Sequence, residues 1–281
     1  MPLYKYLHPD RTDVLRGQCI RFSSPAALND PFELKPHIAA LASLEYAEAE
    51  LRRLLPIILK EELGKVPAEL RALLPAGALE AFLESQLPLI QKNFEGLSNQ
   101  MMPLLQERMG SKLEELLGVL CLTEAPDSLL MWAHYADSHR GFVIEFDESS
   151  PFFDRRVSGE DELRHLRRVT YDRTRPSLTL SEVEDGSAFL TKGLEWRYET
   201  EWRMIVSLDG ADKILDSGHE VIHLFKFPPQ ALKSVIFGCR MTEAKRNEIG
   251  SILAQPQYSH VYCKRVETDD EHYLLHVRTD A

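Results

Sequence analysis

The order of strand-like and helix-like segments is the feature that most constrains the fold of this chain. Residues 44–117 are rich in Leu, Ala, Glu, Gln and Lys at helical spacing, and short strand-like runs lie on both sides. This order lacks the regular alternation of strand and helix that builds a doubly wound parallel sheet. We therefore predict the α+β class, with a mixed, largely antiparallel sheet, flanking helices and a helical insertion.

The insertion sets the expected domain organisation. We predict a single α+β domain over residues 1–281, with an all-helical insertion at about 44–117, and the 44% of hydrophobic residues suffices for a substantial core. Proline and glycine residues within the insertion favour a set of short helices. These expected breaks are Pro56, Gly64, Pro67, Pro75, Gly77, Pro88, Gly96 and Pro103.

Outside the insertion, apolar alternation predicts strands and capping residues predict helices. Strands are expected at 3–7, 19–23, 119–123, 141–146, 168–172, 201–208, 220–227, 234–237, 260–266 and 273–277. Helices are expected around Val14 and at 128–136, 188–195 and 243–253. Asp127 is the expected N-cap of the helix at 128–136.

The net charge and the cysteine spacing of the chain limit which classes of partner it is expected to bind. The formal net charge of −11 opposes binding to nucleic acid, because affinity for the phosphate backbone needs concentrated Lys and Arg. Four scattered cysteines without a CxxC pair predict reduced thiols and no metal centre held by cysteine, and our main hypothesis includes no metal. No apolar window is long enough to span a bilayer, and the first residues lack the apolar region of a signal peptide. We expect a cytoplasmic location and no membrane partner.

The segment 199–208 carries the strongest chemical signal. As a strand, its two-residue period places two carboxylates and a guanidinium on one face, from Glu199, Glu201 and Arg203. The like charges of two neighbouring carboxylates push their pKa values apart, and a nearby arginine lowers both pKa values. Acid–base sites use such differences to keep one group charged while another carries a proton. The alternative is a solvent-exposed face with cross-strand ion pairs, which the spacing alone favours. The opposite face is apolar and carries Trp202, Met204, Val206 and Leu208.

An aromatic and histidine-rich stretch forms a second candidate group. Trp132 and His139 fall at helical spacing, and Tyr135 lies one turn before His139. His134 and His139 are five residues apart, which argues against a zinc pair on one helix face. In the alternative interpretation Trp132 and Tyr135 are core residues and His134 is a hydrogen-bonded, partly buried histidine, which is the favoured interpretation for His134. We expect His139 at the edge of a cleft, where the chain leaves the helix.

Polar residues after the second expected strand form a third candidate group. Arg21 lies on that strand, and Asn29 and Asp30 follow it in a turn-rich segment. Asn and Asp in turns usually bond their own backbone, so a loop-stabilising role is one interpretation. The other is that Asn29 and Asp30 present an amide and a carboxylate to a ligand. The spacing does not separate the two.

Four motifs together resemble the domain of unknown function 2971 family. They are a Tyr-Lys-Tyr strand, an FSSP-then-NDPFE segment, a MWAHYADSHRGF block and a WRYETEWR block, at Tyr4 to Tyr6, Phe22 to Glu33, Met131 to Phe142 and Trp196 to Arg203. The resemblance spans most of the chain apart from the insertion. It implies no particular activity.

The Glu199-x-Glu201 pair at the start of a strand is also similar to ADP-ribosyltransferases, although no Ser-Thr-Ser strand of the kind such enzymes often carry is identified. This similarity implies NAD as a co-substrate, Glu201 as the catalytic carboxylate and Glu199 as the residue that orients the acceptor. It implies Arg21 or Arg203 near the pyrophosphate. Under this hypothesis His139 joins the catalytic group, and the remaining cofactor-binding residues are Asn29, Asp30, Trp132 and Tyr135.

Two other functions remain open. The first is a non-enzymatic ligand-binding or protein-interaction module, in which the aromatic block lines a pocket and the insertion docks a protein partner. The second is metal-assisted hydrolysis by Asp30, Glu199, Glu201 and His139, which requires these groups to converge. For the enzymatic hypothesis we expect a small-molecule or protein substrate.

Overall fold

The chain has the predicted α+β class. The computed structural model describes residues 1–71, 73, 75, 77–180, 186–216, 218 and 220–279. These residues form two compact units. The first unit contains Met1–Lys35, Ser111–Arg175 and Gly186–Ala281, and the second contains Pro36–Gly110 and Pro176–Asp185.

The first unit is built on an eight-stranded sheet. In spatial order its strands are β15 (Leu275–Thr279), β14 (Tyr262–Thr268), β13 (Leu232–Phe237), β5 (Phe142–Phe146), β1 (Leu3–Leu7), β4 (Leu117–Thr123), β10 (Glu201–Ser207) and β6 (Arg167–Arg168). Strands β13 and β14 are parallel, and the other neighbouring pairs are antiparallel. The sheet is therefore mixed and largely antiparallel, as predicted.

Smaller elements complete the first unit. A three-stranded antiparallel sheet contains β11 (Lys213–Asp216), β12 (Val221–Lys226) and β2 (Cys19–Phe22). A parallel pair contains β7 (Thr170–Asp172) and β9 (Thr191–Gly193). The α-helices of this unit are α1 (Asp13–Gly17), α5 (Leu129–Tyr135) and α6 (Glu243–Leu253). The N-cap of α5 is Ser128, whose hydroxyl accepts a hydrogen bond from the Met131 amide, and the predicted cap Asp127 precedes it.

The main sheet is buried on both faces at its centre. In β5 the side chains of Phe142, Ile144 and Phe146 join the large apolar cluster on one face, and Val143 joins a second cluster on the other. Trp132 of α5 is fully buried in the second cluster. Helix α5 is therefore fixed against the sheet by its tryptophan.

The second unit contains most of the insertion. Strand β3 (His37–Ala40) pairs in parallel with β8 (Ser177–Thr179), and the helices are α2 (Leu44–Gly64), α3 (Ala68–Arg71) and α4 (Ala78–Leu116), the last of which runs beyond Gly110. The predicted breaks at Gly64, Pro67, Pro75 and Gly77 lie at the ends of helices or between them. The other predicted breaks are wrong, because α2 continues through Pro56, and α4 continues through Pro88, Gly96 and Pro103. A proline removes one backbone donor, and the turns around it keep theirs. None of the described helices has the length and apolar character that a membrane crossing requires.

The predicted helix at 188–195 is also wrong. Gly186–Leu190 and Leu194–Glu199 are short 3₁₀ segments, and β9 lies between them. Pairing of β9 with β7 overrides the local helical spacing. The strand predicted at 168–172 divides into β6 and β7, which lie in different sheets.

Candidate functional site

A cavity of about 230 Å³ lies in the first unit. Strands β1, β4, β9 and β10, helix α5 and the segment after β2 contribute to its wall. Tyr4, Lys5 and Tyr6 line it from β1, and Met131 and Tyr135 line it from α5. The cavity therefore combines hydroxyl groups and an ammonium group with apolar surface, which is typical of a small-molecule site.

Strand β10 brings two charged residues of opposite sign to this wall. Glu201 lines the cavity, and its carboxylate accepts two hydrogen bonds from Arg203, of 2.7 Å from Nε and 3.0 Å from Nη2. Arg203 is 0% exposed and also donates from Nη1 to the carbonyl of Phe189 at 3.0 Å and from Nη2 to Glu33. A bidentate contact of this kind holds both side chains in a fixed geometry.

Strand β9 places a lysine among three carboxylates. The Nζ atom of Lys192 lies 2.6 Å from Glu199, 3.1 Å from Glu201 and 3.3 Å from Glu33. With Arg203 these residues form what we call the charged cluster, in which no member is more than 8% exposed. Three carboxylates and two cations bury charge at this wall, and such burial is costly unless the charges are paired.

Glu199 and Glu201 reach the cluster from different elements. Glu199 ends the 3₁₀ segment Leu194–Glu199, and Glu201 begins β10. Thr200 between them has a φ of 42°, in the left-handed region that non-glycine residues seldom adopt. The hydroxyl of Thr123 on β4 donates to the backbone carbonyl of Glu199 at 2.5 Å. The two carboxylates thus share one wall because of a turn at Thr200, and not through one continuous strand.

The charges of the cluster shift the pKa values of its members. Burial disfavours the charged form of Glu201, but Arg203 and Lys192 outweigh burial and hold the pKa of Glu201 well below its usual range. Burial also acts against the charge of Lys192, but the carboxylates of Glu201, Glu33 and Glu199 raise its pKa. For Glu33 burial prevails and raises the pKa. Glu201 and Lys192 therefore stay charged at neutral pH, and Glu33 takes up a proton more readily than Glu201.

Tyr135 connects helix α5 to the cluster. Its hydroxyl donates to Oε1 of Glu199 at 2.6 Å. Burial raises the pKa of Tyr135, and the adjacent carboxylate of Glu199 raises it further. Burial likewise raises the pKa of the Cys121 thiol, which lines the same cavity. Both groups stay protonated, so Tyr135 acts as a donor and Cys121 is a poor nucleophile.

The structure brings together five of the nine residues predicted for a site. Glu199, Glu201, Asn29 and Tyr135 line the cavity, and Arg203 lies behind Glu201 in the charged cluster. The solvent-exposed alternative for the charged face of β10 is wrong, because Glu201 is 3% exposed. Strands β4 and β6 flank β10 within the sheet, and the side chains of Lys192 and Glu33 contact the charged residues on that face.

The other four predicted residues are not among those that line the cavity. The guanidinium of Arg21 bonds Glu220. The carboxylate of Asp30 accepts from the Phe32 amide, which is the loop-stabilising arrangement. Trp132 is a core residue, as the alternative interpretation has it, and its ring stacks against His139 with centroids 6.3 Å apart.

Sequence reasoning missed Glu33 and Lys192 as functional candidates. Glu33 is the last residue of the NDPFE motif, so its acidic side chain beside Asn29 and Asp30 was an available signal. Lys192 gave no such signal, because it lies in the segment predicted to be a helix. Within the described part of the chain, no group of three or more His, Cys, Asp or Glu residues is arranged to hold a metal ion.

A Tyr135→Phe variant tests the contact between α5 and the cluster. We expect the free energy of unfolding to fall by about 1–3 kcal/mol, because Oε1 of Glu199 would lose its donor in a buried place. Urea unfolding measures the change. A Tyr273→Phe variant is the matched control, since Tyr273 is 96% exposed. An equal stability of both variants would show that water replaces the lost hydroxyl.

One comparison with known proteins gives a match. Residues 131–204 match the family model described as protein of unknown function (DUF2971). The match includes most of α5, all of β9 and the residues from Glu199 to Arg203. It confirms the first resemblance over the MWAHYADSHRGF and WRYETEWR blocks, and the two N-terminal motifs lie outside the matched residues. No curated protein and no solved structure matches the chain. The comparisons do not bear out the similarity to ADP-ribosyltransferases.

Proposed function

We propose that this chain, whose matched family has no described activity, binds NAD through a ribose unit held in the cavity and transfers the ADP-ribosyl group to an acceptor. The observation that carries the proposal is the pair of buried carboxylates, Glu199 and Glu201, beside the hydroxyl of Tyr135 on one cavity wall. Carboxylates accept hydrogen bonds from ribose hydroxyl groups and stabilise developing positive charge.

The proposed reaction breaks one bond and forms one. The bond between C1′ of the ribose and the nicotinamide nitrogen breaks, and its electron pair leaves with nicotinamide. An acceptor nucleophile on a small molecule or a protein forms a bond to C1′ and releases a proton to a carboxylate. Positive charge builds on the ribose during this exchange, so a fixed negative charge nearby lowers the barrier.

The contacts of the two carboxylates support different roles for them. Glu201 is held by Arg203 and Lys192 and keeps its charge, which suits a group that stabilises positive charge. Oε1 of Glu199 accepts from the Tyr135 hydroxyl, and a ligand hydroxyl can replace such a donor. We therefore assign ribose binding and proton uptake to Glu199 and electrostatic stabilisation to Glu201.

The phosphate groups of NAD need a cation other than those first predicted. Arg203 is fully engaged within the charged cluster, and Arg21 pairs with Glu220. Lys5 lines the cavity, and its ammonium group donates to the Cys121 carbonyl at 2.9 Å. We assign the contact with phosphate to Lys5. All four cysteines are free thiols, which suits a reducing, cytoplasmic setting.

Binding of NAD to a Glu199→Gln variant tests this proposal. We expect calorimetric affinity to fall about tenfold, or 1.4 kcal/mol, because an amide is a weaker acceptor than a carboxylate. Nicotinamide release should fall with it. Glu271→Gln, at an exposed position of the first unit, serves as the matched control. Equal NAD affinity of the wild type and Glu199→Gln would refute the assignment.

A non-enzymatic ligand-binding module is the second candidate. It is favoured by the pairing within the charged cluster, where each of Glu33, Glu199 and Glu201 already contacts a cation and none is an uncommitted base. The same NAD experiment separates the two candidates. If Glu199→Gln weakens NAD binding but the wild type releases no nicotinamide, the ligand-binding module is favoured.

A protein-interaction role belongs to the same second candidate. Helix α2 has no buried residue, and Leu54, Ile57 and Ile58 are 40%, 59% and 52% exposed at helical spacing. Exposed apolar side chains of this kind mark protein contacts in many molecules. Sedimentation at rising concentration tests for self-association. An Ile57→Glu variant should reduce any association that this face supports.

A further inference from the structure

We propose that the aromatic side chains beside the charged cluster form a subsite for a flat heteroaromatic ring attached to the ribose in the cavity. The subsite contains His134, Tyr135, Trp196 and Tyr198, and we call it the aromatic rim. This inference rests on the proposed function, since it assumes that the cavity holds the sugar. The ligand class is therefore a nucleoside unit and not a free sugar.

The rings of the aromatic rim form a continuous series. The centroid of His134 lies 6.3 Å from that of Tyr135 and 6.2 Å from that of Tyr198, and Tyr198 lies 6.2 Å from Trp196. The Tyr198 hydroxyl lies 3.2 Å from Nδ1 of His134, which ties α5 to the 3₁₀ segment Leu194–Glu199. The series is thus held by ring contacts and one polar contact.

Both ends of the series meet the charged cluster. Tyr135 bonds Glu199 through its hydroxyl, and the ring centroid of Trp196 lies 4.7 Å from Nζ of Lys192. Tyr198 precedes Glu199, and burial and the nearby Glu199 carboxylate raise the pKa of its phenol. A ring attached to a sugar that bonds Glu199 would therefore lie close to these aromatic faces.

The exposure of the rim distinguishes it from the core. His134 is exposed and not partly buried as predicted, and Tyr135, Trp196 and Tyr198 are half-buried, whereas Trp132 on the same helix as His134 is 0% exposed. The solvent-facing part of these rings contributes no burial energy to the fold. Stacking of a base on an aromatic side chain is worth about 1–3 kcal/mol, so a ligand ring would gain from this surface.

NAD contains two flat heteroaromatic rings that are each attached to a ribose, namely nicotinamide and adenine. Nicotinamide mononucleotide and adenosine monophosphate each carry one ring, and ribose 5-phosphate carries the sugar and phosphate without a ring. Comparing these three probes isolates the contribution of the ring. The tighter of the two nucleotides identifies which end of NAD lies at the rim.

The test is calorimetric binding of the three probes to the full chain and to Tyr198→Leu. We expect the preferred nucleotide to bind Tyr198→Leu about tenfold more weakly, and ribose 5-phosphate to change by less than about twofold. Tyr198→Phe keeps the ring and should retain nucleotide affinity. Tyr273→Leu, at a position that is 96% exposed, is the matched control. Trp196→Leu repeats the test if Tyr198→Leu fails to fold.

The outcomes separate the two proposals. If the wild type binds all three probes and Tyr198→Leu alters none of them, the rim is overturned and the cavity proposal stands. An equal loss of affinity for the nucleotides and for ribose 5-phosphate in Tyr198→Leu also overturns the rim proposal, because Tyr198 would then affect binding of the sugar and phosphate in the cavity and not of the ring. If no probe binds the wild type, both proposals fall.

Discussion

Replacing Arg203 with methionine is expected to lower the free energy of unfolding by about 3–5 kcal/mol, the cost of leaving buried charges without their partner. The carboxylates of Glu201 and Glu33 would each lose the guanidinium that they contact, and Lys192 would remain as their one cation in the charged cluster. Chemical denaturation followed by tryptophan fluorescence measures the loss.

The loss in free energy of unfolding that Arg203→Met causes should depend on pH. In the wild type the pKa of Glu201 is lowered, so its contribution to stability is present above the unfolded value of about 4.3 and is lost as pH falls through the folded value. The variant lacks most of this contribution. The stability difference between the two proteins should therefore shrink as pH falls below about 4.

An exposed ion pair provides the control for Arg203→Met. Arg156 bonds Asp154 near the surface, and such pairs contribute little to stability. We expect Arg156→Met to leave the unfolding transition almost unchanged. A loss of less than about 1 kcal/mol for Arg203→Met would mean that Glu201 and Glu33 reach solvent or take up protons at low cost.

A Gly141→Ala variant is expected to have the second largest effect on stability and to lower the free energy of unfolding by about 3 kcal/mol. A Cβ atom at this position would lie 2.1 Å from the carbonyl oxygen of Leu7 and 3.0 Å from the Cα atom of Ala136. Both neighbours are backbone atoms, and Leu7 is held in β1 by its pairing with Phe142. The strand cannot move aside without breaking the centre of the main sheet.

Gly250→Ala is the control for Gly141→Ala. Gly250 lies within α6, and nothing lies within 4 Å of a Cβ atom added there. Alanine favours the helix over glycine by up to about 1 kcal/mol, so this variant should be slightly more stable. Thermal unfolding of the two variants gives the comparison. Equal midpoints of thermal unfolding for the two variants would mean that Leu7 and Ala136 move away from the added methyl group at position 141 without a cost in stability.

Strands β1 and β5 at the centre of the sheet were predictable from the sequence as short apolar and aromatic runs, although the structure buries both of their faces. Strand β1 has the predicted bounds, and β5 differs from its prediction by one residue. The apolar face of β10 also follows from the two-residue period, since Met204 and Val206 join the core, as does Leu208 directly after the strand. A residue pattern with one dominant periodicity constrains the backbone strongly.

The remaining features depend on contacts that a linear pattern does not contain. The turn at Thr200 places Glu199 beside Glu201, and nothing in the spacing distinguishes it from continuous strand. Lys192 lies in extended β9 because of pairing with β7 and contacts with three carboxylates. The long helix α4 retains Pro88 and Pro103, so the cost of two lost backbone donors is offset by the turns on either side.

The charged cluster joins parts of the chain that are far apart in sequence, since Glu33 and Arg203 are 170 positions apart. Residues 36–110 lie within the loop that this contact closes. The entropy of closing a flexible loop grows only with the logarithm of its length, so doubling the loop costs about 0.6 kcal/mol. Shortening or extending the segment between Lys35 and Ser111 would therefore alter the loop-closure part of the free energy of assembling the cavity wall very little, so this part of the cost leaves the length of the segment free to vary.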